Sequence, residues 1–322
     1  MLLICPASPG SRAGNRTTAL RWAAKLRAVG HRVRIRDAYC NEPCDVLVAL
    51  HARKSAPPVF ASAENCPERP VVVALTGTDL YGDLQDSAVA QRVMELAVRL
   101  VVLQPLAIER LAEPQRAKAR VIYQSAVSTP DPDPPDPNYF DICVSGHLRH
   151  EKDPFRAALA ARLLPHASRI RILHAGRAMT PDFAEQARQE ELKNPRYRWL
   201  GELARKEARR LLASCRALAL TSKMEGGANV ISEAIVDGVP VIASRIDGSV
   251  GLLGPDCPAF FPAGHTEALA SLISRFEQDA AFYQEQKMRC LELQPLFRPE
   301  RELDAWRHLI EEVSGQRRGG RG

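Results

Sequence analysis

The chain has 322 residues, 45% of them apolar and 25% charged, enough to bury two cores of ordinary size. Its formal charge of +6 is spread along the sequence, which favours anionic small ligands and argues against a nucleic-acid surface. No apolar run reaches the ~18–20 residues that span a bilayer, and residues 1–6 lack the basic start and long apolar middle of a signal peptide, so a cytoplasmic chain without stable membrane association is expected.

In chain order, short β-branched or aliphatic runs alternate with helically patterned stretches. Strands are expected at residues 2–5, 32–36, 46–51, 71–75, 100–103 and 120–123, with helices at 15–29, 57–63, 87–97 and 105–112. Residues 128–138 then hold five prolines in eleven positions, which neither a helix nor a central strand tolerates, so this is a stiff linker. A second alternating set follows, with strands at 140–145, 169–174, 197–200, 216–220, 239–243 and 259–261. Its helices are expected at 154–164, 181–193, 203–213, 229–237, 266–277 and 280–292. Such alternation builds parallel sheets from βαβ units. The expected organisation is two α/β halves, 1–128 and 139–299, joined by a hinge at 129–138 and facing across a cleft. Ligands would sit at the carboxyl ends of the strands. A last helix near 300–316 is expected to pack back on the first half, and the basic residues after it to form a flexible tail at 317–322. The eight cysteines contain no CxxC pair, and Cys40 and Cys44 have no second ligand pair nearby, so reduced thiols and no metal are expected.

The densest chemistry lies between the strands at 216–220 and 239–243. There Glu225-Gly226-Gly227-Ala228-Asn229 opens into a helix that carries Glu233 eight residues beyond Glu225. A helix start presents bare N–H groups that attract phosphate. Paired carboxylates accept hydrogen bonds from sugar hydroxyls. The mechanical reading gives Glu225 the hexose hydroxyls and Glu233 a ribose diol, with Gly226 and Gly227 letting backbone approach a ligand closely. The plain alternative is a helix cap with one solvated glutamate. Together these features suit a nucleotide-sugar.

After the strand at 140–145 comes Gly146-His147-Leu148-Arg149-His150-Glu151-Lys152-Asp153. A glycine turn followed by Arg149 and Lys152 can hold a diphosphate by charge-assisted hydrogen bonds, against the alternative of an ordinary polar turn before Pro154. Gly201 ends another strand of this half, where a backbone amide can meet a nucleobase edge. In the first half, Gly10 and Gly14 sit in a loop that is not a dinucleotide fingerprint. His51, Arg53 and Lys54 follow one strand, and Thr76, Gly77, Thr78 and Asp79 follow the next. These are candidates for an acceptor site, with Asp79 or His51 as a base and Arg53 with Lys54 for an anion. Caps and solvated charges are the alternative for each.

The paired Glu225 and Glu233, the turn from Gly146 to Lys152 and the loop from Pro6 to Gly14 resemble the retaining glycosyltransferases of family four, which have the GT-B fold of two Rossmann-like domains. The resemblance implies that Glu225 contacts the sugar, Glu233 the ribose, and the Lys152 turn the diphosphate, with His147 standing where the family has arginine and Arg149 as its substitute. A narrower resemblance covers His51-Ala52-Arg53-Lys54-Ser55-Ala56, Leu75-Thr76-Gly77-Thr78-Asp79-Leu80-Tyr81, residues 117–125 and residues 146–153. These segments are similar to the selenosugar synthases of selenoneine biosynthesis. That similarity implies UDP-N-acetylglucosamine or UDP-glucose as donor and selenophosphate as acceptor, with no cofactor beyond the UDP-sugar co-substrate. The competing expectations are a glycosyltransferase with another small-molecule, glycan or lipid acceptor, and a non-catalytic nucleotide-sugar binding protein.

Overall fold

The computed structural model of the chain describes residues 1–8, 10, 14–77, 79–84 and 86–319. Pro9 and residues 11–13 of the first loop, Thr78, and the end of the basic tail from Gly320 lie outside the described residues. By its internal contacts the chain divides into two units, one of Met1–Gln124, Glu225–Gly227 and Pro299–Gly322, the other of Ser125–Met224 and Ala228–Arg298. Among the described residues no helix is long and apolar enough to cross a membrane.

The first unit holds a parallel sheet of β1 (Leu2–Ile4), β2 (Arg34–Arg36), β3 (Leu47–Leu50), β4 (Val71–Leu75), β5 (Arg99–Val102) and β6 (Ala119–Val121), in the order β2-β1-β3-β4-β5-β6. Around it run α1 (Gly14–Ala28), α2 (Ala56–Asn65), α3 (Ala88–Leu96), α4 (Leu106–Glu109) and α5 (Glu113–Lys118). A strand sends successive side chains to opposite faces, and here both faces are covered. Leu2, Ile4, Leu47, Ala49, Val71 and Val73 pack with Val59 of α2 and Val93 of α3. Leu3, Val48, Leu50, Val72 and Ala74 pack with Trp22 of α1 and with Trp306, Leu309, Ile310 and Val313 near the end of the chain. Burial on both faces is why β1, β3, β4 and β5 read as nearly unbroken apolar runs, while the edge strand β2 keeps Arg34 and Arg36 exposed.

The second unit repeats the plan with β7 (Phe140–Ser145), β8 (Ile170–Ala175), β9 (Tyr197–Trp199), β10 (Ala217–Leu220), β11 (Val241–Ser244) and β12 (Phe260–Phe261), all parallel, in the order β12-β11-β10-β7-β8-β9. Its helices are α6 (Arg156–Arg162), α7 (Pro181–Lys193), α8 (Arg205–Ser214), α9 (Asn229–Val236), α10 (Asp247–Leu253), α11 (Thr266–Gln278) and α12 (Ala280–Leu293). The buried alanines 157, 158, 160 and 161 let α6 sit close to α11, which buries Leu269, Ile273 and Phe276. Asp141 and Arg171, opposite one another on β7 and β8, form a two-pronged ion pair at 2.7 and 2.8 Å. The start of the proline-rich segment is tied down: the Thr129 amide and hydroxyl donate to Asp237 at 2.7 and 2.8 Å, and Arg209 donates to Asp237 at 2.8 Å and to the Val127 carbonyl at 2.9 Å. The final helix, α13 (Pro299–Gly319), belongs to the first unit.

Two expectations about elements need correction. The helix expected at 105–112 is shorter, ending at Glu109, because Pro114 opens a separate helix, α5. α10 was not expected at all, since Gly248 and Gly251 lower its helix propensity; it forms with Ser249, Leu252 and Leu253 buried.

Candidate functional site

In a doubly wound sheet the ligand crevice opens where strand order reverses. In the second unit that point lies between β7 and β10. The turn after β7 carries Gly146, His147, Arg149 and Lys152, and it is fixed from both neighbouring strand ends. On the β8 side, Leu148 donates its N–H to the Arg177 carbonyl at 2.9 Å and accepts from Met179 N–H at 3.1 Å. On the β10 side, the Thr221 hydroxyl stands 3.0 Å from the carbonyl oxygens of both Lys152 and Asp153, and Lys223 N–H donates to the Glu151 carbonyl at 2.8 Å. Gly176 must lack a side chain, because a Cβ there would overlap the Gly146 carbonyl oxygen.

The turn is cationic. His147 accepts the Arg177 N–H on Nδ1 at 3.1 Å. Burial, then the positive charges of Arg177, Arg149 and Lys152, hold the His147 pKa below its ordinary value against the opposing pull of Glu202. Arg149 Nε is 4.0 Å from Glu151. The aliphatic stem of Lys152 runs across Gly146, at ordinary contact distance from where a Cβ would stand. Arg177 was missed in the sequence: only the register of β8 beside β7 brings it to this turn. Gly201 adopts a φ of 66° after β9, and its carbonyl accepts from Gly176 N–H at 2.7 Å, so it joins the same row of strand ends.

α9 begins after β10. Its cap residue, Ala228, has no side-chain acceptor, so the first turn, starting at Asn229, keeps its positive end. Glu233 is mostly buried, with Oε1 3.7 Å from Arg205. Glu225, Gly226 and Gly227 group with the first unit, where Glu225 is half-buried. Gly226 and Gly227 are closely packed within that unit. Their close neighbours are protein: a Cβ on Gly226 would lie 2.6 Å from Gly77 Cα, and one on Gly227 2.7 Å from Leu103 Cβ.

In the first unit the strand order turns between β1 and β3, and three loops gather at the carboxyl ends of β1, β3 and β4. Exposed Gly10 and Gly14 follow β1, exposed Arg53 and Lys54 follow β3, and half-buried Thr76 follows β4. His51 and Asp79 do not face outward. Asp79 is 0% and His51 1% exposed, and the Asp79 carboxylate accepts N–H bonds from Gly77 at 2.9 Å and Ala52 at 3.0 Å. These residues, with buried Gly77, tie two loops together.

Residues 130–290, half of the chain and the stretch that contains the cationic turn and α9, match the family described as glycosyl transferases group 1. HepE from Anabaena, solved with UDP and glucose, superposes with a TM-score of 0.74 at 18% identity over 98% of this chain and 99% of that one. The sucrose-phosphate synthase of Thermosynechococcus elongatus gives 0.77 at 16% identity over 98% of each chain. A glycosyltransferase from Rickettsia africae ESF-5 gives 0.71 at 15% identity over 97% of each. These likenesses establish the GT-B fold, and the match over residues 130–290 shows that the chain belongs to the group 1 glycosyl transferases.

Proposed function

We propose that this chain is a UDP-sugar-dependent glycosyltransferase that moves an N-acetylglucosaminyl or glucosyl group to selenophosphate, forming a 1-selenosugar for selenoneine biosynthesis. One observation carries the donor half: the cationic turn of Arg149 and Lys152, with Arg177 beside it, stands at the switch point of the second sheet. That is a place for a diphosphate. HepE, solved with UDP-glucose, supports UDP as the nucleotide. Glu225 and Glu233 are then the acceptors for sugar and ribose hydroxyls.

The acceptor rests on the resemblance to selenosugar synthases and on the exposed cations Arg53 and Lys54, which suit a selenophosphate anion. Selenium attacks the anomeric carbon; the Se–C bond forms as the C–O bond to UDP breaks, and UDP leaves. Water then cleaves the P–Se bond, releasing phosphate and the selenol. Selenium is a soft nucleophile and needs little help from a base. Catalysis then lies in positioning and in neutralising the leaving diphosphate.

The test is to incubate the protein with UDP-N-acetylglucosamine or UDP-glucose and selenophosphate and to follow UDP and the selenium isotope pattern by mass spectrometry. A selenosugar with matching UDP and phosphate is expected. Transfer to another acceptor but never to selenium would sink the acceptor assignment. Tight UDP-sugar binding without turnover would sink the enzyme reading. Arg53→Ala with Lys54→Ala should raise the selenophosphate KM about tenfold or more and leave the UDP-sugar KM within about twofold.

A further inference from the structure

Beneath the cationic turn lies a buried polar relay. His174 of β8 is 1% exposed, with Nε2 3.1 Å from the Gly146 carbonyl oxygen and Nδ1 3.0 Å from the Tyr197 hydroxyl. A carbonyl oxygen can only accept, so Nε2 carries the proton. Nδ1 of the neutral ring then accepts from the Tyr197 O–H. Burial pushes the His174 pKa down to about 4 and the Tyr197 phenol far up, so this arrangement persists through the neutral range.

The relay ends on one residue, Gly146. The Gly146 N–H donates to the Ala175 carbonyl at 2.9 Å, and the Gly146 carbonyl accepts from His174. Both polar groups of Gly146 are therefore held from β8, and Gly176 packs against the carbonyl from the same side. Tyr197 on β9 is itself wedged edge-on against Phe155, with ring centroids 6.5 Å apart. A leucine at position 174 would pack without the desolvation cost of an imidazole. Instead the ring uses its single N–H on the residue that opens the cationic turn.

We infer that His174 and Tyr197 are positioning residues for the donor diphosphate: the Tyr197–His174–Gly146 relay fixes the residue from which the turn springs, and so sets where Arg149 and Lys152 meet the phosphates. This rests on the donor site proposed above. It adds no charge and touches no substrate, so its effect falls on nucleotide affinity and not on the acceptor.

The test is UDP titration calorimetry on the full chain, with steady-state kinetics alongside. Tyr197→Phe removes one O–H and keeps the ring packing; UDP affinity should fall about threefold to tenfold. His174→Phe removes both hydrogen bonds, and the fall should reach about tenfold to thirtyfold. His174→Gln, which restores a donor near the Gly146 carbonyl, should recover to within about threefold of wild type. The donor KM should follow UDP affinity, kcat should fall as well because the same turn neutralises the leaving diphosphate, and the acceptor KM should stay within about twofold of wild type. A lowered melting temperature with unchanged UDP affinity would mean a structural role alone and would overturn the inference. Should His174→Phe fail to fold, Tyr197→Phe decides: unchanged affinity overturns the inference, and the expected loss with an unchanged acceptor KM supports it. A wild-type chain that does not bind UDP overturns the donor site and this inference together, whereas wild-type binding left intact by all three variants overturns this inference alone.

Discussion

Asp79 uses both carboxylate oxygens inside the first unit, one on the Gly77 amide and one on the Ala52 amide, with His51 Nδ1 3.8 Å from Oδ2. His51 holds a φ of 71°, a left-handed conformation that a side chain rarely adopts. The carboxylate therefore splices the loop carrying Arg53 and Lys54 to the loop after β4. Asp79→Asn keeps the shape but turns an NH2 toward one of the two amides. It is expected to cost about 1–3 kcal/mol in urea unfolding, whereas the exposed Lys54→Ala should stay within about 0.5 kcal/mol of wild type. Equal stabilities of Asp79→Asn and wild type would refute the splice. Sequence reasoning reached these residues as candidates because polar side chains stood out after apolar runs. It did not reach their hydrogen-bond partners. Whether a carboxylate faces solvent or two backbone amides depends on the path of the neighbouring loop, and a linear pattern does not contain that. Arg177 and His174 were hidden for the same reason: each gains its partner through the β7–β8 register, thirty or so residues away in sequence.

At the scale of elements, the central strands were legible because a parallel strand covered on both faces must be apolar, whereas the edge strand β2, Arg34–Arg36, is partly exposed and stands out only by its place in the alternation. α10 was not legible, since its two glycines hide a helix whose cause is the burial of Leu252 and Leu253. α13 shows both kinds of information. Its apolar residues Trp306, Leu309, Ile310 and Val313 recur at helical spacing, and Trp306 meets Trp22 with centroids 4.6 Å apart. Its polar anchors were invisible. Glu312 binds Arg99 at 2.7 Å and Arg120 at 2.6 Å, and hydrogen bonding to these two guanidiniums holds its carboxyl down at about 2. The folded value lies below the ordinary glutamate value, so the pair stabilises the protein above about pH 4.3. That stability is lost as pH falls toward 2. Glu312→Gln should cost about 1–2 kcal/mol at pH 7 after allowance for solvent screening. The gap between variant and wild-type stability should narrow below about pH 4 and close near pH 2. A gap that stayed constant with pH would show that packing, not the charge, is what the variant disturbs.

At the scale of the whole molecule, the first unit is discontinuous: its sheet comes from Met1–Gln124, but one face of that sheet is closed by a helix from the end of the chain. Trp306, Leu309, Ile310 and Val313 are each no more than 4% exposed. Four such side chains at about 1.5–3 kcal/mol each contribute about 6–12 kcal/mol, which is comparable to the total stability of a domain of about 5–15 kcal/mol. A fragment of residues 1–128 therefore lacks what it needs to fold, although its sheet and five helices are intact in sequence. It should bind a hydrophobic dye and unfold without a cooperative transition in urea. Joining residues 296–319 ahead of Met1 through a flexible glycine-serine linker should restore a sigmoidal transition, because α13 then covers the Trp22 face without the second unit present. The same fusion carrying Trp306→Ala should lose about 3–5 kcal/mol of what was regained. Cooperative unfolding of residues 1–128 alone would show that α13 only decorates a sheet already stable without it.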